Sequence, residues 1–323
     1  MRRLFKAVLV SFCVIGLAAC AHGAQTASPL LPASGSHSLP QGVYGGIGPS
    51  AALSVLLGDA APDLYGRPLA KLNLGLREVD AIQNGQTTVL STFSKPLVVN
   101  VLNVPGNGGQ LVAHAQVARL QYDSLKLVVD LATSTGVFQD GTVMPINFFV
   151  NQQTWSTVGA GANVTTTPHG SNAVSIVVNQ PFSIPEDGNH AVRVDFNAFE
   201  SLDLWAQGGL VAEPALFVAP IDDAGSIVGK IVDSKTGLPV DQAVVVATDS
   251  DGNIGNTGVT DSTGSFELHT LRSSNYNLVI WNDYMNAADR VFQSNSQSQY
   301  AAVNGPTVTV TGGQNANAGT LKD

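Results

Sequence analysis

The sequence predicts an all-β chain built as two antiparallel β-sandwich domains. Apolar stretches of four to eight residues recur from about residue 50 onward, several of them alternating with polar residues. Gly and Pro (33 and 16 residues) punctuate nearly every interval between them, which is turn chemistry rather than helix chemistry. Charged residues make up 12% of the chain, about half the usual share of roughly 25%, so Ser, Thr, Asn, Gln and Gly must supply the polar surface. With 44% apolar residues there is ample core, and 323 residues suit two domains of ~100–200 residues each.

The N-terminal segment, residues 1–19, comes first. Arg2, Arg3 and Lys6 form a positive region, and Ala7 to Ala19 an apolar run broken by Gly16. That run is too short to cross a bilayer, which needs ~20 residues. Small residues then lead into Cys20. The order of charge, apolar run and Leu17-Ala18-Ala19-Cys20 resembles the lipobox of bacterial lipoproteins. The resemblance implies cleavage before Cys20, lipidation of its thiol (palmitate included) and membrane attachment through that lipid. An ordinary secretory signal cut after Ala21 is the alternative. Ala21, in place of Asp, implies sorting to the outer membrane of a Gram-negative cell. Cys13 and Cys20 are the two cysteines, so both folded domains are free of thiols. Disulfides, Cys-ligated zinc and cysteine nucleophiles are thereby excluded from them.

Residues 20–49 form a tether rich in Ala, Gly, Ser and Pro, with no apolar period. About 25 residues of such chain reach roughly 25–30 Å, enough to clear lipid headgroups.

The first domain, residues 50–221, opens with Leu53-Ser54-Val55-Leu56-Leu57 ahead of Gly58-Asp59. Lys71 to Arg77 alternates and sets Leu72, Leu74 and Leu76 on one face. Asn84-Gly85 signals a two-residue hairpin into Thr88-Val89-Leu90. Strands are expected at Leu97 to Val104, Ser124 to Val129, Ile146 to Val150, Ser175 to Val178 and Val192 to Phe196. Ala113 to Leu120 is poor in β-branched residues and is expected as a short helix.

The second domain, residues 222–323, starts at the charged or small residues Asp222 to Gly225. Ser226 to Asp233 alternates, Ser234 to Pro239 turns the chain, and Ala243 to Thr248 returns. Asp251-Gly252 makes a hairpin turn. Val259-Thr260, Ser265 to His269, Asn277 to Asn282 and Thr307 to Thr311 complete two sheets of three or four strands.

Residues 225–281 resemble the carboxypeptidase regulatory-like domain, a transthyretin-like β-sandwich. The matching residues are Gly229, Asp233, Thr236-Gly237-Leu238-Pro239-Val240, Ala243, Thr260-Asp261, Gly264, Phe266, Leu268, Leu271 and Tyr276-Asn277-Leu278. The family's Gly before the tyrosine is Asn275 here, a residue that also tolerates left-handed backbone. Residues 50–220 more loosely resemble a bacterial lipoprotein domain of unknown function that often precedes such a sandwich. The similar stretches are Leu53 to Pro62, Leu72 to Val79, Asp195 to Leu202 and Glu213 to Leu216. That second resemblance implies boundaries and localisation but no activity.

Catalytic motifs are absent. The histidines (His22, His37, His114, His169, His190, His269) show no His-x-x-x-His or His-Glu-x-x-His spacing and are expected in surface loops, although His169 and His190 flank a strand. No Gly-x-Ser-x-Gly occurs. Glu186-Asp187 and Asp222-Asp223 are adjacent pairs whose side chains would diverge on a strand. Asp249, Asp251 and Asn253 outline a weak calcium candidate, but the sixth and twelfth positions are Ile254 and Thr260 instead of Gly and Glu, so a hairpin turn is preferred. Trp155, Trp205 and Trp281 are the stacking candidates for sugar. Trp281, Asn282, Asp283 and Tyr284 form the best carbohydrate set, weighed against packing of the Trp281 ring in the core.

The sequence thus predicts a non-catalytic, lipid-anchored envelope protein with a structural, adhesive or ligand-presenting role. No cofactor, metal or catalytic residue is expected. A polysaccharide or an envelope protein is the expected partner. Nucleic acid is not, because the formal charge is −9 and removal of residues 1–19 takes away only basic groups. A carbohydrate-binding surface lipoprotein is the alternative, and an envelope hydrolase with an unrecognised site comes third.

Overall fold

The computed structural model describes residues 50–59, 63–64, 67–102, 109–118, 120–150, 153–154, 163–185, 188–204, 209–281 and 303–323. Cys20, the signal and the tether lie outside them, as do Trp155, Trp205, Glu186, Asp187, Asn282, Asp283 and Tyr284.

The first part of the chain holds β1 (Ser50–Gly58), β2 (Asp63–Leu64), β3 (Arg67–Gln83), β4 (Gln86–Asn100), β5 (Gln110–Ala118), β6 (Gln121–Tyr122), β7 (Ser124–Phe138) and β8 (Val143–Phe148). Then come β9 (Gln153–Thr154), β10 (Asn163–His169), β11 (Ala173–Asn179), β12 (Phe182–Ser183) and β13 (Asn189–Phe196). A one-turn helix α1 (Ala198–Ser201) leads to β14 (Leu202–Leu204), β15 (Leu210–Ala212) and β16 (Leu216–Pro220). Strands β16, β13, β1 and β5 form a four-stranded sheet in that order, and the long β3 and β7 centre a ten-stranded one.

These two sheets share a core. Leu53, Val55 and Leu57 of β1, Val192 and Val194 of β13 and Val218 of β16 join Leu72, Leu74, Leu76 and Val79 of β3 and Leu125, Leu127 and Val129 of β7. Each such side chain is worth roughly 1.5–3 kcal/mol when fully buried, so the alternating leucines of β3 fix which face points inward. Asn84 and Gly85 both take positive φ (47° and 73°), the mirror-image turn that joins β3 to β4.

Two expectations are corrected. Ala113 to Leu120 is not a helix: β5 runs from Gln110 to Ala118 and pairs antiparallel with β1, Ala113 opposite Val55 and Ala115 opposite Leu53. Its alternating burial puts Ala113, Ala115 and Val117 among the core residues, so sheet pairing overrides local propensity. The sheets are also not purely antiparallel, because β1 pairs parallel with β13, β15 with β8, and Ser226–Val232 with Asn315–Lys322.

The last part holds β17 (Ala224–Val232), β18 (Val244–Thr248), β19 (Ile254–Val259), β20 (Ser265–Arg272), β21 (Ser274–Trp281), β22 (Val303–Val310) and β23 (Asn315–Lys322). They form a three-stranded sheet β20-β17-β23 and a four-stranded sheet β19-β18-β21-β22. Ile227, Ile231, Val245, Phe266, Leu268, Tyr276, Leu278 and Ile280 fill the space between the two. Gly229 is needed here, because a Cβ would lie 2.6 Å from Cζ of Phe266. Asn275 is part of the extended β21 and does not take left-handed backbone; its Oδ1 accepts from Thr309 Oγ1 at 2.7 Å.

Candidate functional site

Strand β13 alternates, and its two faces serve different cores. Val192, Val194 and Phe196 point into the first sandwich. Arg193, Asp195 and Asn197 therefore lie on the opposite side, where solvent would be expected, yet each is only 3% exposed. The second sandwich covers them.

Asn197 is the centre of this joint. Its Oδ1 caps α1 by accepting from Glu200 N at 3.0 Å. Its Nδ2 donates across the joint to Asn256 Oδ1 (2.8 Å), Thr257 Oγ1 (2.8 Å) and Thr257 O (3.2 Å). Asn256 replies by donating from Nδ2 to Asp195 Oδ2 at 2.5 Å and to His269 O at 2.6 Å. Asp59, just past β1, accepts from Ala198 N at 2.5 Å and so holds the start of α1. Beside this polar lock lies an apolar one. Phe217 of β16 joins Val244, Val246 and Ile254 in a small buried cluster, with Trp281 packed against it. Arg272 of β20 adds a third link, donating to Pro181 O and to Val218 O.

Burial sets the charge states. It pushes the Glu200 carboxyl up to about 7, with the Thr257 hydrogen bond opposing and the Asp195 charge reinforcing. Asp195 is likewise raised by burial, held back by Arg193 and Asn256. His269 is drawn down to about 4, by burial first and by Arg193 second, so its imidazole is neutral at pH 7. Its Nδ1 lies 3.3 Å from Glu267 Oε1, whose own carboxyl burial raises.

A cleft of about 670 Å³ opens at the joint. Asp59, Asp195 and Asn197 of the first sandwich line it together with Lys230, Asn256, Glu267 and His269 of the second. Among the described residues no group of three or more His, Cys, Asp or Glu side chains is placed to hold a metal ion.

Of the histidine, tryptophan and calcium candidates singled out in the sequence, His269 lines the cleft. Asp249 Oδ1 accepts from Asp251 N and Asn253 N, and Asn253 Nδ2 donates to Asp249 Oδ2 at 3.0 Å, so this loop closes on itself as a turn. Trp281 ends β21 and is part of the joint. The four histidines among the described residues do not sit in loops: His114, His169, His190 and His269 are all on strands. His169 hydrogen-bonds Ser175 Oγ at 3.1 Å in the ten-stranded sheet, whereas His190 belongs to the four-stranded one. The joint was not legible as a site, because Arg193, Asp195 and Asn197 look like the solvent face of an amphipathic strand. A second polar cluster sits on β3 and β7, where the cross-strand partners Asp80 and Lys126 approach to 2.5 Å and Glu78 lies 3.1 Å from the same nitrogen. Burial pushes the Asp80 carboxyl up to about 7.

Comparison with known proteins now places the second sandwich. Residues 226–321 match the carboxypeptidase regulatory-like domain. The match takes in the strands from β17 to β23, and the positions read from the sequence have mechanical roles within it. Asp233 accepts from Thr236 N and Oγ1, and Asp261 from Thr263 N, Thr263 Oγ1 and Ser265 N, each organising a turn. Gly264 has φ +77° and no room for a Cβ, which would meet Ile231 O at 2.4 Å. A comparison with curated proteins gives no match. Among solved structures, the major pilin subunit BcpA of Bacillus cereus aligns over 84% of this chain and 99% of its own, at 10% identity and a TM-score of 0.23. The shaft pilin SpaA from Lactobacillus rhamnosus GG aligns over 85% and 98%, at 10% identity and 0.22. A 9R-lipoxygenase from Cyanothece aligns over 32% of this chain and 17% of its own length, at 19% identity and 0.21. Likenesses this low carry no functional argument.

Proposed function

We propose that this is a non-catalytic, lipid-anchored protein of the cell envelope, with a structural, adhesive or ligand-presenting role. The observation that carries it is the use made of the buried polar groups. Asn197, Asn256, Thr257 and Asp195 spend their hydrogen bonds on joining two sandwiches, and His269 is held neutral beside Glu267. Perturbed acids in a cleft are equally the mark of a catalytic site, but here the perturbation comes from burial in a joint. The carbohydrate reading would rest on the Trp281 ring, which is already packed against Val244, Val246 and Ile254.

The anchor is supported by the lipobox-like residues, with Cys20 as the acylated thiol and Ala21 favouring the outer membrane. Cys20→Ser tests it. The variant should incorporate no palmitate and should move to the soluble fraction or remain unprocessed. Palmitate labelling that persists in the variant would refute the anchor.

A further inference from the structure

The polar cluster on β3 and β7 sets an amine against a buried acyl carbon. Asp80 and Lys126 are directly opposite each other in the antiparallel ladder, where Cβ atoms stand ~4.5–5.5 Å apart, so the sheet itself holds the two side chains together. Lys126 Nζ lies 2.5 Å from Asp80 Oδ2 and 3.1 Å from Glu78 Oε1. The Asp80 side chain is fully buried, yet neither of its oxygens accepts a hydrogen bond of ordinary geometry. The nitrogen thus touches the carboxyl without lying along a hydrogen-bond direction. An ion pair buried in this way is poorly compensated, and joining the partners as an amide would remove both charges.

The charge states suit such a condensation. Burial first, and Glu78 with it, pushes the Asp80 carboxyl up to about 7 against the pull of Lys126, so the neutral acid is populated at pH 7. Burial also raises Glu78, but its contacts with Asp80 and Lys126 outweigh that and keep it ionised, as a proton acceptor must be. Burial lowers Lys126 and the two acids raise it by more, so the ammonium is the resting form and the free amine the scarce reactant. Scarcity slows a reaction that need happen only once per chain. Reactants held in contact offset it, since effective molarities of ~10⁵–10⁸ M are reached by well-oriented groups.

We propose that Lys126 and Asp80 condense into an intramolecular amide that staples β3 to β7, with Glu78 as the proton carrier. The Lys126 ammonium passes one proton to the Asp80 carboxylate, and the freed Nζ lone pair forms a bond to Asp80 Cγ. Glu78 takes a second proton from Nζ and returns it to the Asp80 hydroxyl, the bond from Cγ to that oxygen breaks, and water leaves. An ammonium and a carboxylate become an amide and water, Glu78 ends as it began, and nothing is oxidised or reduced. The staple lies in a domain whose sequence holds no cysteine, and it does not rest on the lipid anchor.

The test is peptide mapping of the purified full chain, denatured, digested with trypsin and read by tandem mass spectrometry. The peptides carrying Asp80 and Lys126 should be recovered joined, lighter by one water than their sum and uncut after Lys126. Lys126→Arg, which keeps the positive charge but removes the amine, should give no joined peptide. Glu78→Gln should slow the joining by about a hundredfold or more, the usual share of a positioned proton carrier. If Lys126→Arg does not fold by circular dichroism, the wild-type digest decides alone. Recovery of wild-type Lys126 with an amine that still reacts with a succinimidyl ester after denaturation, even following prolonged incubation of the folded chain, would overturn the proposal. Joining of Glu78→Gln at the wild-type rate would overturn the role given to Glu78.

Discussion

Asn197 ties three things together with one amide: the cap of α1, Asn256 and Thr257 of the second sandwich. Asn197→Ala would leave a buried helix end and two buried polar partners short of a bond, so it should cost roughly 2–4 kcal/mol in urea unfolding. A loss under about 0.5 kcal/mol, the range of surface substitutions, would place this side chain in solvent. The ionisable neighbours give pH predictions of opposite sign. Glu200 is raised from its ordinary 4.5 to about 7, so the folded chain keeps a proton that the unfolded chain gives up. Its contribution is full below 4.5 and is lost as pH rises through about 7, by at most about 1.4 kcal/mol per unit. His269 is lowered from 6.5 to about 4, so its contribution is present above 6.5 and is lost as pH falls through about 4. Stability of Glu200→Gln should therefore climb more steeply with pH than wild type between 4.5 and 7, and that of His269→Gln should fall. Unfolding curves at four pH values decide it, and identical slopes in all three proteins would contradict the burial of both groups. None of this was legible in the sequence, where Glu200 stands beside Ser201 and His269 beside Thr270, and nothing marks either as buried. Only the docking of another sandwich buries them.

Strands with strong patterns were readable and weakly patterned ones were not. Leu72, Leu74 and Leu76 and the Asn84-Gly85 turn give β3 and β4 on local chemistry alone. Strand β23, Asn-Ala-Asn-Ala-Gly-Thr-Leu-Lys, lacks β-branched character except at Thr320, and only its parallel pairing with β17 makes it a strand. Strand β5 failed for the same reason: its alanines suit a helix in isolation and suit close sheet packing against β1 in the fold. The regulatory-like domain was legible because its signature residues are turn-makers and steric gaps. Gly229→Ala should cost about 1–3 kcal/mol, since the added methyl meets the Phe266 ring; a neutral melt would show that the ring can step aside. Trp281→Ala should also destabilise, by up to about 3 kcal/mol, because the ring packs on the joint cluster. A stability-neutral Trp281→Ala that loses polysaccharide retention would instead restore the sugar platform. A fragment starting at Asp222 retains a core of its own around Phe266, Tyr276 and Leu278, so it should melt cooperatively with β-type circular dichroism. Its melting temperature should lie below that of the full chain, because Val244, Val246 and Ile254 lose their cover of Phe217.

Two cores in one chain could melt separately or together, and the joint decides which. The described residues all fall in one compact unit, and the polar lock of Asn197 with Asn256, the apolar lock around Phe217 and the reach of Arg272 to Val218 O bind the sandwiches along one face. Domain contacts of this kind transmit stability from one module to the other when they are apolar and hydrogen-bonded at once. With that coupling, neither sandwich opens without the other. Differential scanning calorimetry of the full chain, wild type beside Asn256→Ala, measures the coupling directly. Wild type should give a single transition whose calorimetric and van't Hoff enthalpies agree, and Asn256→Ala should split it into two or lower it by several degrees. Two independent transitions in the wild type, unmoved by Asn256→Ala, would mean that the sandwiches are merely strung together and that the joint locks nothing.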